Sequence, residues 1–146
     1  GVCREEIELL SKPFSDKIVF HRPLPRKELI KHIKKASLCL VPLKDKKLFE
    51  SALPSKMFEY MACGKPIIVS IKGDAEKIVH DSKAGMVVEP ENAKLLSDAI
   101  LKYYLDKDRC KFAQLRFCQH DTYLVMFPIY GFLQLYIENP GNFYCL

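Results

Sequence analysis

Glu59 is the one acid in a largely apolar stretch, Pro54-Ser-Lys-Met-Phe-Glu-Tyr-Met-Ala-Cys63. A carboxylate so placed needs a partner, and a sugar diol, with two hydroxyl donors, is a suitable one. Ser55 and Lys56 stand at the head of the same stretch. In a helix, that first turn has unpaired N–H donors and a partial positive charge, and both favour a phosphate. Glu50 is the nearest acid upstream. A hydrolytic carboxylate pair needs two acids facing one pocket, and only Glu50 and Glu59 qualify. Taken alone, Glu59 would read as a solvated acid or as the i+3 partner of Lys56. Its neighbours on both sides point instead to a ligand.

The other reactive side chains form no comparable group. Cys3, Cys39, Cys63, Cys110, Cys118 and Cys145 include no C-x-x-C pair and no zinc-type spacing with histidine. They read as free thiols of a reducing cytoplasm, with Cys39 and Cys63 acting as small apolar residues. His21, His32, His80 and His120 are scattered, and no metal or cofactor is expected.

Holding Glu59 in place requires a helix with a defined start and stop and a buried strand behind it. Pro54 has the φ of a first helical position. Gly64 suits the left-handed cap that ends a helix, and Pro66-Ile-Ile-Val-Ser-Ile71 is an apolar run of strand length. The rest alternates. Strands are expected at 17–21, 37–43, 66–71 and 84–90, and helices at 25–36, 54–63, 73–82 and 92–107, after an opening turn and helix over 1–10. Asn92 has N-cap chemistry, with Leu95, Leu96, Ala99 and Tyr103 on one stripe. Gly73-Asp74 reads as an ordinary turn and helix start. Apolar strands between helices predict an α/β fold, a Rossmann-like doubly wound parallel sheet with helices on both faces. Its ligand belongs beyond the carboxyl ends of the strands, where the loop 44–53 lies.

The run Glu50-Ser-Ala-Leu-Pro-Ser-Lys56, followed by Glu59-Tyr-Met-Ala-Cys-Gly-Lys-Pro66 and an apolar strand, resembles the donor-site signature of retaining GT-B glycosyltransferases of the glycosyltransferase-4 type. The resemblance covers about residues 1–110 and is specific between Glu50 and Ser70. It implies the C-terminal, donor-binding half of a GT-B fold, transferring a sugar from a UDP- or GDP-linked diphosphosugar to a glycan or lipid-linked acceptor. It also implies roles. Glu59 would take the ribose hydroxyls, and backbone N–H groups around Leu53, Ser55 and Lys56, behind Pro54, would take the phosphates. The loop after the first strand, with Arg22 and Leu24, would pass near the base. The first acid of the signature acts near the donor sugar. The family spacing would place it at position 51, occupied here by Ser51, so Glu50 takes the role from one residue further away. Two other readings share the architecture: a nucleotide-sugar epimerase, and a non-catalytic nucleotide-binding or interaction module. A receiver-like module would want an acidic cluster after His21 and Leu43, which is lacking.

A chain of 146 residues, 49% hydrophobic, suffices for one buried core but not for a two-domain GT-B enzyme. Residues 1–110 are therefore read as an N-terminally incomplete donor domain, expected to turn over negligibly without its acceptor domain. Charge is uneven. Residues 1–72 carry fifteen Lys/Arg and eight Asp/Glu, and residues 73–146 eight and ten, or +7 and −2 of the total +5. Lys44, Lys46, Lys47 and Lys56 could draw in an anionic nucleotide sugar, whereas Lys31, Lys34 and Lys35 read as a solvated helix face. Contact with the inner face of a membrane is a second use of this charge. Nucleic acid fits poorly, because no aromatic residues interleave the basic stretch.

The segment 111–146 differs from the rest. Residues 112–146 hold nine of the sixteen aromatics and only three charged residues, Arg116, Asp121 and Glu138. The uncharged run 122–137 is short for a membrane span and contains Pro128 and Gly131. Three readings stand: a helix meant for an absent domain, a membrane-surface segment, or a stretch out of its native frame from near Lys111, the last being preferred.

Overall fold

Side chains alternate across strands that are buried on both faces. In Leu38–Pro42 (β2), Cys39 and Val41 enter one core while Leu38 and Leu40 enter another. In Ile67–Ser70 (β3), Ile67 and Val69 join the first and Ile68 the second. Period-2 alternation between two covered faces is why both strands read as unbroken apolar runs. The computed structural model of the chain describes residues 4–106, together with the backbone of two strands, Leu135–Asn139 and Asn142–Cys145.

The remaining elements are the helices Arg4–Ser11 (α1), Arg26–Lys35 (α2), Ser55–Ala62 (α3), Asp74–Ser82 (α4) and Ala93–Leu105 (α5), and the strands Ile18–Phe20 (β1), Gly85–Val88 (β4), Leu135–Asn139 (β5) and Asn142–Cys145 (β6). The sheet order is β1-β6-β5-β2-β3-β4. β2, β3 and β4 are parallel neighbours with Leu40 beside Ile68 and Ile68 beside Met86. β1 runs parallel to β6, and β5 is antiparallel to both β6 and β2. The first core packs α2, α3 and α4 on one face through Ile33, Met57, Tyr60, Met61, Ala75 and Val79. The second packs α5 on the other through Ala99 and Tyr103. The expected Rossmann-like α/β fold with helices on both faces is the observed one, with one antiparallel strand added to an otherwise parallel sheet.

One local expectation is corrected. Pro54 is the N-cap of α3, not its first residue, with φ −63° and ψ 119°. A ψ in that region turns the chain into the helix without continuing it, so the helix starts at Ser55. In the tail, β5 and β6 are strands of the sheet. Leu-Tyr-Ile and Asn-Phe-Tyr-Cys are rich in aromatic and β-branched residues, which favour strands. The rest of the tail (107–134, 140, 141 and 146) and residues 1–3 lie outside the described residues.

Candidate donor site at the carboxyl ends of the strands

α3 is bounded as its sequence requires. At its C-terminus the Lys65 amide donates to Tyr60 O at 3.0 Å and the Gly64 amide to Met61 O at 2.9 Å. Gly64 has φ +67°. This paired pattern is a Schellman stop, and it needs the left-handed residue that glycine supplies. At its N-terminus Pro54 provides no side-chain cap. The positive end of the helix therefore faces outward from the strand ends without a side-chain oxygen of its own cap.

Lys56, Met57, Tyr60 and Met61 form the buried stripe of α3, and Ser55, Phe58 and Glu59 flank it half-buried. Ser55 and Glu59 are one helical turn apart on the same face. Lys56 is only 9% exposed. A lysine in the first turn of a helix is disfavoured both by the dipole and by burial.

The loop between β2 and α3 carries Glu50, Ser51 and Leu53, all exposed. It is tied across the ends of the neighbouring strands. The Asp74 amide donates to Glu50 O at 3.0 Å. Gly73, at φ +87°, lies so close that a Cβ there would sit 2.0 Å from Glu50 O. The Gly73-Asp74 pair, expected to be an ordinary turn, is thus packed against the acid-bearing loop. Lys72 Nζ reaches Asp45 Oδ2 at 2.7 Å and Glu89 Oε1 at 3.7 Å. The Asp45 amide donates to Glu91 Oε2 at 3.2 Å. The hydrogen bond to Asp45, and secondarily the charges of Asp45, Glu89 and Glu50, hold Lys72 above the ordinary lysine range.

Asp45, Lys72, Glu89 and Glu91 had no part in the motif reading. In the structure each follows the carboxyl end of a strand within three residues, where ligands of open α/β sheets bind. The predicted strand ends gave this signal for Asp45, Lys72 and Glu91, whereas Glu89 lay inside the strand expected at 84–90.

The structure does not bring every expected residue together. Arg22 and Leu24 follow β1, which β6 and β5 separate from β2, a distance of about 14 Å at the usual strand spacing. Arg22 is exposed and Leu24 half-buried. In the same loop His21 stacks against His32, with ring centroids 4.8 Å apart, and its carbonyl accepts from Arg4 Nη1 at 2.9 Å. An open groove of about 560 Å³ runs along α4 and β4, lined by Gly73, Lys77, His80 and Gly85 among others, and includes no residue of the 44–53 loop. Cys39 and Cys63 are free thiols whose pKa burial raises. Among the described residues no three His, Cys, Asp or Glu side chains are placed to hold a metal ion, and no helix is long and apolar enough to cross a membrane.

Residues 1–106 match the family of group 1 glycosyl transferases. No curated protein and no solved structure matches the chain. A family match over most of the chain, on a Rossmann-like domain, gives the assignment: the chain belongs to the group 1 glycosyl transferases.

Proposed function

We propose that this chain binds the nucleotide diphosphosugar donor at the start of α3, for transfer of the sugar to a glycan or lipid-linked acceptor. The observation that carries this reading is the pairing of buried Lys56 in the first turn with half-buried Glu59 one turn further on. Glu59 accepts hydrogen bonds from two ribose hydroxyls. The amides of the first turn, behind Leu53 and Pro54, hold the diphosphate with Lys56, and the same groups stabilise the charge that develops on the leaving phosphate. Ser51 and Ser55 border the phosphates, and Glu50 acts at the donor sugar. Arg22 and Leu24 flank the base, which requires the base to lie along the strand ends toward β1.

Titration with UDP and GDP during thermal unfolding tests the reading. A nucleotide at a hundred times its Kd stabilises by about 2.7 kcal/mol, a rise of several degrees. Hydrogen bonds to a charged group contribute about 1.5–3 kcal/mol, so Glu59→Ala should weaken binding roughly 10- to 100-fold while leaving the melting temperature of the free protein nearly unchanged. Equal nucleotide shifts in wild type and Glu59→Ala would sink the assignment.

A further inference from the structure

We propose that Lys72 is a positioning residue: with Asp45, Glu89 and Glu91 it straps the 44–53 loop across the carboxyl ends of β2, β3 and β4, in the form in which that loop meets the donor. This rests on the donor-site reading above. Lys72 follows β3 and touches acids from two other strand-end loops, Asp45 after β2 and Glu89 after β4. Glu91 closes the strap from the second side by accepting the Asp45 amide. Its φ of +57° is a left-handed conformation that a non-glycine residue keeps when its surroundings hold it. Within the loop, the turn Lys47–Phe49 is held by its own backbone bonds, but these do not tie it to the neighbouring strand ends. Residues 44–48 are exposed, and its other tie to these turns is the backbone bond from Asp74 to Glu50. A segment with few buried contacts opens locally at low cost. The Lys72 and Asp45 side chains are each 44% exposed, so the strap is weak, screened by salt and reversible. Affinity for the donor scales with the fraction of molecules whose loop is strapped. Lys72 thereby tunes donor binding without touching the donor.

Hydrogen exchange on the full chain, with UDP and GDP affinity measured in parallel, separates the alternatives. In Lys72→Met the peptide covering 44–53 should exchange about three- to fivefold faster, matching the range of exposed ion pairs, and nucleotide affinity should fall by a similar factor. Lys72→Arg, which keeps the charge, should restore both. Sodium chloride at 1 M should speed loop exchange in wild type but not in Lys72→Met. Unchanged loop exchange in Lys72→Met overturns the strap. Faster exchange with unchanged affinity overturns its positioning role. Weaker binding with unchanged exchange means that Lys72 contacts the nucleotide itself and likewise overturns the proposal. If wild type binds neither nucleotide, the donor reading fails, while exchange in the free chain still decides the strap.

Discussion

At the scale of single residues, the chemistry of this domain depends on where charge is allowed to be partly buried. Glu59 and Lys56 sit on α3, whose start has no side-chain cap, and on the proposed reading their substitution should affect binding more than folding. The cysteines behave in the opposite way. Burial disfavours the thiolate of Cys39, which is completely buried, and to a lesser degree that of half-buried Cys63. Thiolates are the reactive form, so iodoacetamide at pH 8 should label Cys63 more slowly than a free thiol and Cys39 only on unfolding. Peptide mapping by mass spectrometry reads both, and rapid labelling of Cys39 in the native protein would contradict its burial. Lys72 illustrates a third case. Its raised pKa means that the strap is at full strength below the ordinary lysine pKa and is lost as pH rises through the raised one. The strap therefore persists throughout the neutral range.

Among the elements, caps and close approaches hold the site more firmly than side-chain pairs. Asn92 Oδ1 accepts the Leu95 amide at 3.0 Å and starts α5 as its sequence predicts. Asn92→Ala should cost about 1 kcal/mol, measured by denaturant unfolding, with m unchanged. Gly85 is more demanding. A Cβ there would lie 1.8 Å from Ile67 O across the β3–β4 pairing, so Gly85→Ala must separate the strands. Overpacking of this kind costs about 1–3 kcal/mol, and a melting temperature equal to wild type would refute the close approach. The boundaries of α3 and α5 were legible because Gly64 and Asn92 act through local hydrogen bonds. The approach of Gly73 to Glu50 was not, since it joins turns 23 residues apart in sequence.

For the whole molecule, the two cores meet at the β2–β3 pair, and stability should grade away from it. Cys39, Val41, Ile67, Ile68 and Val69 are fully buried, whereas α1 contributes to neither core and exposes Leu9 and Leu10. Amides of β2 and β3 should exchange only through global unfolding, and those of α1 should exchange orders of magnitude faster. Equal protection of α1 and β3 would show that the cores are not the cooperative unit. By itself, the sequence determined the succession of strands and helices over 4–106, the glycine stop of α3, and the motif that resembles the family, because period, capping and turn chemistry act over a few residues. Tertiary structure decided the rest. It set Arg22 and Leu24 two strands away from β2, placed part of the aromatic tail in the sheet as β5 and β6, and joined Asp45, Lys72, Glu89 and Glu91. The physical reason is that these relations depend on which strands pair, and pairing joins segments far apart along the chain that no local pattern records.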